Sequence, residues 1–360
     1  MNKKILIFHT SVGLGHKYIA QNIGWHLAQA GFEVKLADIG QVQSGNFGKI
    51  ITKIHQFINK HLPFIWGFLY RYGHYPILPF RVLIASFNYE KAKTFIDDFN
   101  PDLVISVHTT ASAIVAYLKR KGLYKNKFAI GFSDYHLHPY WLYKEADFYL
   151  ANIEEQKQQM VNKGFNPATI FVCGITLKPK INVNAADIRS KLGIKETERV
   201  VLIGTGSLGI GFKPADLQEL LSFENIKIIF ACGKNIALFN ELKNLNQPNI
   251  IPLSFYEPMA ELYAIANIFV GKPGGLSTAE SLQWILPLIV TFTLPGQEEL
   301  NVDYLEPRKL ILVNKGNLVQ LVKQELESGA FKKQLQTNPS VPAIIDRAEV
   351  VIQAVKKHLL

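Results

Sequence analysis

The sequence predicts an α/β protein built from parallel β-α-β units, and three observations support this fold class. Short apolar runs rich in Val, Ile and Leu alternate along the chain with longer amphipathic runs, and several of the apolar runs end in a glycine-rich turn. This alternation is typical of parallel sheets whose strands are buried on both faces. At 360 residues the chain fits one large or two ordinary domains, with enough length to bury a core in each.

The elements follow from the apolar periodicity. In the first half we expect strand Lys4–His9, helix 18–30, strand 33–37, strand 103–107, helix 111–121 and strand 128–132. In the second half we expect strand 200–204, helix 215–222, a strand ending near residue 232, a helix from near Glu257, strand 266–270, helix 275–284 and a C-terminal helix over 343–358. Pro63 is expected to kink or restart an amphipathic helix over 50–69.

The most informative segment is residues 271–280, GKPGGLSTAE, which follow the predicted strand 266–270. A glycine turn that opens a helix brings main-chain N–H groups, hydroxyls and the positive end of the helix dipole together, which favours a phosphate. The residues expected to supply these groups are Gly274, Gly275, Ser277 and Thr278. Glu280, one turn further on, is expected to accept hydrogen bonds from ribose hydroxyls.

A second polar segment, residues 295–301, has the sequence PGQEELN. Gln297, Glu298 and Asn301 supply amides and a carboxylate, a donor and acceptor set suited to the hydroxyls of a sugar. Together the two segments predict a nucleotide-sugar site and therefore sugar transfer.

The first strand also ends in a glycine turn, with Gly13 and Gly15 followed by His16. The turn lacks the third glycine of a dinucleotide-binding fingerprint, but it could approach an anion or an acceptor. A histidine in the first turn of a helix is favoured in its neutral, proton-accepting form. His16 is therefore a candidate general base that would activate an acceptor hydroxyl. The alternative is a structural histidine that caps the loop.

Asp134 is the rival base, because it follows the predicted strand 128–132 and would lie at the carboxyl end of the sheet. It could accept the proton itself or orient a histidine. His136 and His138 are close enough in sequence to suggest metal ligation with Asp134. That interpretation is less favoured than a metal-free site.

Charge and aromatic content are concentrated in the first half of the chain. The formal net charge is +10, and no acidic residue occurs between Asp38 and Glu90. Basic and aromatic side chains are frequent in that interval, among them Lys49, Lys53, Lys60 and Trp66. A basic amphipathic helix with aromatic residues is typical of a segment that lies on an anionic membrane. The alternative is a packed helix with a solvated basic face, and no signature of an RNA-binding module favours nucleic acid.

These motifs together resemble a known family. The segments SVGLGH (11–16), SDYHLHPYW (133–141), CGKN (232–235), 271–280 and 295–301 occur in the order seen in monogalactosyldiacylglycerol synthases and processive diacylglycerol glucosyltransferases. The enzyme that adds N-acetylglucosamine to lipid-linked muramyl peptide is more distantly similar. The resemblance covers nearly the whole chain. It implies the GT-B fold, with two Rossmann-like domains facing each other across a cleft. We expect an acceptor- and membrane-binding domain over 1–175, a nucleotide-sugar domain over 176–340, and a C-terminal helix over 341–360 that returns to the first domain.

The resemblance also implies an inverting transfer of glucose or galactose from a UDP-sugar to diacylglycerol, without a metal ion or other cofactor. On this basis Gly206 and Ser207 would approach the diphosphate, Lys234 would neutralise phosphate charge or orient the ribose, and Phe255 would contact the uracil. Glucose and galactose both remain candidates, because they differ in the orientation of one hydroxyl. A polyprenyl-linked or sterol acceptor, a nucleotide-sugar epimerase and an inactive nucleotide-binding partner are the alternatives.

The expected location is the cytoplasm, with peripheral association to the membrane. The first residues lead directly into a strand, so no signal peptide is expected, and no apolar run approaches the roughly 20 residues of a membrane span. The two cysteines, Cys173 and Cys232, are expected to stay reduced.

Overall fold

In the computed structural model, residues 3–11, 14–42, 63–72, 74–206, 209, 220–223 and 225–360 are described. The chain forms two compact units. The first unit comprises Met1–Lys178, Leu294–Asn301 and Pro342–Leu360, and the second comprises Pro179–Thr293 and Val302–Val341. The short segment Leu294–Asn301, which contains Gln297, Glu298 and Asn301, is therefore part of the first unit.

The first unit contains a parallel six-stranded sheet in the order β2-β1-β3-β4-β5-β6. The strands are β1 (Lys4–His9), β2 (Glu33–Asp38), β3 (Leu103–Ser106), β4 (Lys127–Gly131), β5 (Phe148–Ala151) and β6 (Ile170–Val172). The helices are α1 (Leu14–Gln29), α2 (Ile39–Val42), α3 (Pro63–Arg71), α4 (His74–Phe99), α5 (Thr109–Arg120) and α6 (Glu154–Asn162). Strands β3 and β5 are buried at every position, which explains their continuous apolar sequences.

The strand order of this sheet reverses between β1 and β3. From β1 the chain passes to β2 on one side, and β3 then pairs with the other side of β1. At such a point the loops that follow the two strands lead away from each other and leave a crevice at the carboxyl edge. The start of α1 after β1 and the Val107–His108 turn after β3 lie at this edge.

The second unit repeats this design with a sheet in the order β12-β11-β10-β7-β8-β9, all parallel. Its strands are β7 (Arg199–Gly204), β8 (Ile226–Ala231), β9 (Ile250–Leu253), β10 (Ile268–Gly271), β11 (Leu288–Val290) and β12 (Leu312–Val313). Its helices include α7 (Ala185–Lys191), α8 (Ile236–Asn244), α9 (Met259–Ile265), α10 (Gly275–Gln283), α12 (Leu318–Ser328) and α13 (Ala330–Thr337). Helix α11 (Gln297–Leu305), which precedes β12, is divided between the units, because its residues up to Asn301 belong to the first. The strand order reverses between β7 and β10, so the loops after these strands form the corresponding crevice.

The chain ends in two helices, α14 (Ser340–Ile344) and α15 (Ala348–Leu359), where the sequence predicted one helix over 343–358. The helix is interrupted because Ile345 forms a parallel bridge with Ile175. The N–H of Asp346 donates to the carbonyl of Ile175, and a carboxylate oxygen of Asp346 accepts from the N–H of Leu177. Helix α15 then packs against α1 and β6.

The prediction of an α/β protein with parallel sheets is confirmed. Among the described residues, no helix is both long enough and apolar enough to cross a bilayer.

Candidate active site

His16 lies in the first turn of α1, directly above the reversal point of the first sheet. Its Nδ1 is 2.8 Å from the carbonyl oxygen of Val107, whose own N–H donates to Phe8 in β1. A carbonyl can only accept, so Nδ1 carries the hydrogen and Nε2 of the neutral ring is left as the acceptor. Burial lowers the pKa of His16, while the charge of Asp134 acts in the opposite direction. The structure thus keeps a neutral imidazole in the position predicted for the base.

Two aromatic rings lie beside the His16 ring, and the position next to it in the chain is a glycine with open space around it. Around a Cβ placed on Gly15 no described atom outside the adjoining backbone lies within 4 Å. The His108 ring meets the His16 ring edge-on with centroids 5.1 Å apart, and the Trp141 ring is 6.4 Å away. Gly13, the other predicted glycine of this turn, lies outside the described residues.

Asp134 follows β4 and is 5% exposed. Three side chains donate to its carboxylate. Ser133 Oγ and Gln297 Nε2 each lie 2.9 Å from Oδ2, and Asn301 Nδ2 lies 3.0 Å from Oδ1. Hydrogen bonds to both oxygens fix the orientation of the carboxylate. Gln297 and Asn301, both predicted to bind the donor sugar, therefore contact Asp134, one of the two candidate bases.

The segment Leu294–Asn301 is shaped by its own carboxylates and by α3. Glu298 accepts from the N–H of Leu294 at 2.7 Å, and Glu299 accepts from the N–H of Gly296 at 3.0 Å. Gly296 has φ +86°, and a Cβ there would lie 2.8 Å from the Cβ of Tyr70. Any side chain at this position would be both strained and blocked. Glu298, predicted as a sugar ligand, is 6% exposed and takes part in closing this turn.

His136 and His138 contact Tyr70 of α3. The hydroxyl of Tyr70 lies 2.9 Å from Nε2 of His136, and its carbonyl accepts from Nε2 of His138 at 3.1 Å. Nδ1 of His138 accepts from the N–H of Tyr140. Across the part of the chain that is described, no three His, Cys, Asp or Glu side chains are grouped as metal ligands.

In the second unit, helix α10 begins directly after the turn that follows β10. Gly274 is its N-cap, with extended backbone angles, and its carbonyl accepts from Ser277 Oγ at 3.2 Å and from the N–H of Thr278 at 2.9 Å. Thr278 is completely buried, and its Oγ1 has no hydrogen-bond partner among the described residues. The predicted phosphate-binding helix start is therefore present in the fold, and Gly275 is its first residue.

Lys272 lies next to the glycine turn that follows β7. Gly206 has φ +69°, and a Cβ there would be 3.3 Å from Cε of Lys272. The close approach places the lysine stem over the turn, at the point where the strand order reverses. This adds a cation to the predicted phosphate site. Ser207, the neighbour of Gly206, lies outside the described residues.

Lys234 and Phe255 lie together at the carboxyl ends of β8 and β9. The Lys234 ammonium is 6.0 Å from the centre of the Phe255 ring, which is 42% exposed. The adjacent Asn235 caps α8 by accepting from the N–H of Leu238, and it donates to the carbonyl of Gly209. An exposed aromatic ring with a cation above it can take part in stacking with a base.

Glu280 has a partner that the sequence did not indicate. The hydroxyl of Tyr263, in α9, donates to Oε2 of Glu280 at 3.2 Å. Burial raises the pKa of Glu280 to about 7, although the bond from Tyr263 lowers it. Tyr263 itself is 4% exposed. In sequence Tyr263 is one more large side chain in an apolar helix, so nothing marked it as part of the site.

Residues predicted to contact the membrane are only partly described. Lys49, Lys53 and Lys60 lie outside the described residues, as does the side chain of Trp66. Helix α3, which contains Trp66, exposes Ile65 to 50% and Phe68 to 64%. Because these two are three residues apart, they lie on one face of the helix.

Comparisons with known proteins agree with the motifs. Residues 19–177 match the family described as monogalactosyldiacylglycerol (MGDG) synthase. A processive diacylglycerol beta-glucosyltransferase of Bacillus subtilis (strain 168) is 24% identical, over 99% of this chain and 96% of the relative. One from Bacillus pumilus (strain SAFR-032) is 27% identical, over 85% of this chain and 81% of the relative.

Solved structures show the same fold at low sequence identity. MurG of Acinetobacter baumannii is 14% identical with a TM-score of 0.60, covering 99% of both chains. A UDP-GlcNAc 2-epimerase of Neisseria meningitidis is 13% identical with a TM-score of 0.61, covering 99% of this chain and 100% of the other. At such identities the likeness shows the GT-B fold alone. The sequence matches confirm the resemblance predicted from the motifs: this chain is similar to the monogalactosyldiacylglycerol synthases and the processive diacylglycerol glucosyltransferases.

Proposed function

We propose that this protein is an inverting glycosyltransferase that moves a hexose from UDP-glucose or UDP-galactose to diacylglycerol at a membrane surface, giving a β-glycosyl glycerolipid. The relatives named for diacylglycerol glucosyltransfer match most of the chain. The observation that carries the chemistry is the state of His16. Its Nδ1 is bound to Val107, and its lowered pKa leaves Nε2 as a proton acceptor at the start of α1.

In this proposal the acceptor hydroxyl donates its proton to Nε2 of His16. The hydroxyl oxygen attacks the anomeric carbon while the bond from that carbon to the diphosphate breaks, so UDP leaves with the electron pair. Attack from the face opposite the leaving group inverts the anomeric centre, and an α-linked donor becomes a β-glycoside. An alcohol needs such a base, because it is a weak nucleophile when protonated.

The second unit would hold the donor. The start of α10, with Gly274, Gly275 and Ser277, would support the diphosphate through main-chain N–H groups and the helix dipole. The N–H of Thr278 donates to Gly274, so this residue would contribute its Oγ1 instead. Lys272 lies beside Gly206 and supplies a positive charge. Glu280 would accept from the ribose hydroxyls, and Lys234 with Phe255 would contact the phosphate and the base. These groups stabilise negative charge developing on the leaving group, so the proposal includes no metal ion.

The membrane part of the proposal rests on α3 and on the charge around it. Ile65 and Phe68 expose apolar side chains on one face of the helix. The interval between Asp38 and Glu90 contains basic residues and no acidic ones, which favours an anionic lipid surface. Diacylglycerol is too apolar to leave the bilayer, so an enzyme that uses it as acceptor has to reach it at the membrane surface.

The test is a transfer assay with the full chain. The protein is incubated with vesicles of anionic lipid and diacylglycerol and, separately, with UDP-glucose, UDP-galactose and UDP-N-acetylglucosamine. Release of UDP and the mass of the lipid product are measured. A hexosyl product that requires diacylglycerol supports the proposal and identifies the sugar. Hexose transfer to polyprenyl phosphate or a sterol instead would overturn the acceptor, and conversion of the UDP-sugar to an epimer would overturn transfer itself.

A further inference from the structure

Asn301, predicted to bind the donor sugar, is buried among protein groups. Its side-chain Oδ1 lies 2.9 Å from the main-chain nitrogen of Tyr135 and 3.2 Å from Nδ1 of His136. A main-chain N–H can only donate, so the atom facing it is the carbonyl oxygen of the amide. The amino group of Asn301 must then point to Asp134, where Nδ2 is 3.0 Å from Oδ1. The main chain thus fixes the orientation of this carboxamide.

The same contacts fix the ring of His136. Because Oδ1 of Asn301 only accepts, Nδ1 of His136 must carry a hydrogen. In the neutral ring Nε2 then accepts from the hydroxyl of Tyr70 at 2.9 Å. Burial raises the pKa of Tyr70 well above its ordinary value, so this hydroxyl keeps its hydrogen. Asn301 therefore joins the Asp134 carboxylate, the main chain after β4 and, through His136, helix α3.

The burial of Asn301 is inconsistent with contact to a bound sugar in this arrangement. The residue is 0% exposed, and both ends of its amide are occupied by the contacts described. Gln297 differs, because it is only partly buried and donates to Asp134 through Nε2. Gln297 therefore keeps the exposure that contact with a hexose hydroxyl requires, and Asn301 does not.

We infer that Asn301 is a positioning residue, which orients the Asp134 carboxylate and the His136 ring and does not bind the donor sugar. The inference rests on the proposed function, because Asp134 can take part in the transfer only if the protein transfers a hexose. With Oδ1 held by Asn301 and Oδ2 by Ser133 and Gln297, the carboxylate has one fixed orientation. Its charge acts on His16, raising the pKa that burial lowers. Asn301 thereby acts on the base through Asp134.

Two variants and one control test this role in the transfer assay. Asn301→Ala removes the amide and should lower kcat by on the order of a hundredfold, since a small misplacement of a reacting group has such effects. The KM for the UDP-sugar should stay within about twofold, because no contact to the donor is lost. Asn301→Asp keeps the shape but places a second carboxylate 3 Å from the first. Like charges so close share a proton, so the acid limb of the kcat–pH profile should move to higher pH.

The control is Asn152→Ala. Asn152 is also buried and also donates to Asp134, but to its main-chain carbonyl at 2.9 Å. The Asn152→Ala substitution loosens the same loop but leaves the contacts of the Asp134 carboxylate intact. The acid limb of its kcat–pH profile should therefore match that of the wild type. Because all these substitutions lie in the first unit, the thermal unfolding of each variant, followed by circular dichroism, checks that this unit is folded. The isosteric Asn301→Asp carries the test if Asn301→Ala does not fold.

The outcomes separate this inference from the proposed function. A wild-type protein that transfers no hexose overturns the proposed function. If the wild type is active, a raised KM for the UDP-sugar with unchanged kcat and pH profile in Asn301→Ala makes Asn301 a sugar ligand and overturns the inference. If the acid limb of Asn152→Ala shifts as much as that of Asn301→Asp, the role of Asn301 is only structural, and the inference is overturned as well.

Discussion

Tyr263 donates a hydrogen bond to Glu280 at 3.2 Å, and this bond joins α9 to α10 inside the second unit. The Tyr263 ring is packed edge-on against Phe269 of β10, with centroids 5.5 Å apart, so the phenol is held in place by the sheet. Burial raises the pKa of Glu280 to about 7, and the Tyr263 bond opposes that rise. The carboxyl proposed for ribose binding thus titrates near neutral pH.

Binding of a UDP-sugar should therefore strengthen as the pH rises through 7. The ionised carboxylate accepts from two ribose hydroxyls, whereas the protonated form has lost part of that capacity. With a pKa of about 7, affinity should increase roughly tenfold between pH 6 and pH 8. Isothermal titration with UDP-glucose or UDP-galactose measures this, because the diphosphate of a UDP-sugar has no terminal phosphate titrating in that range. Glu280→Gln should bind more weakly at pH 8 and without this pH dependence. A flat wild-type profile would contradict the ribose role.

Tyr263→Phe should move the same profile to higher pH. The variant removes the hydrogen bond that lowers the pKa of Glu280 and keeps the buried ring. The carboxyl should then ionise above pH 7, and affinity at pH 7 should fall while affinity at pH 9 is recovered. Tyr256→Phe is the matched control, since Tyr256 makes the same kind of bond to Glu261. An identical titration curve for Tyr263→Phe and wild type would show that the phenol does not affect Glu280.

Elements set by local sequence were predictable, as β1 and α10 show. Strand Lys4–His9 was predicted with its observed bounds, because five consecutive buried positions require a continuous apolar run. Helix α10 was predicted from its first residue, because a glycine turn after a buried strand is a local signal. The position of His16 in the first turn of α1 followed for the same reason, although the helix starts at Leu14 and the prediction began at residue 18.

Contacts between distant residues could not be predicted in the same way. Asn301 contacts Asp134, which is 167 positions away in the sequence. Tyr263 contacts Glu280, which lies in the next helix of the chain. The chemistry of each side chain was visible in the sequence, but its partner depends on the sheet order and on the turn at Gly296. The Asn301 amide, predicted to face a sugar, is therefore found against the Asp134 carboxylate. The break before α15 has the same origin, since it depends on a bridge between Ile345 and Ile175.

His16→Ala should abolish transfer and leave nucleotide binding nearly unchanged. Removal of a general base lowers kcat by about 10² to 10⁴-fold, while UDP binding depends on the second unit. In the wild type the lowered pKa of His16 predicts an acid limb of the kcat–pH profile below the ordinary 6.5. Rates are measured by UDP release with saturating diacylglycerol vesicles, and UDP affinity by calorimetry. Asp134→Asn is the comparison, because it keeps the shape and removes the charge. An active His16→Ala variant together with an inactive Asp134→Asn variant would transfer the role of base to Asp134.

Ile65→Ser with Phe68→Ser should weaken binding to anionic vesicles without loss of nucleotide affinity. The two side chains are 50% and 64% exposed on one face of α3, so little packing is lost when they are replaced. Removing both from a lipid interface should reduce partitioning by on the order of tenfold or more.

Co-sedimentation with vesicles containing anionic lipid measures this partitioning. A variant with Lys49→Glu, Lys53→Glu and Lys60→Glu together should also bind the vesicles more weakly, and its difference from the wild type should shrink as salt is added. Leu245→Ser, at a side chain 39% exposed just after α8 in the second unit, is the control and should sediment like the wild type. Equal sedimentation of the α3 variant and the wild type would mean that this face of α3 does not contact the membrane.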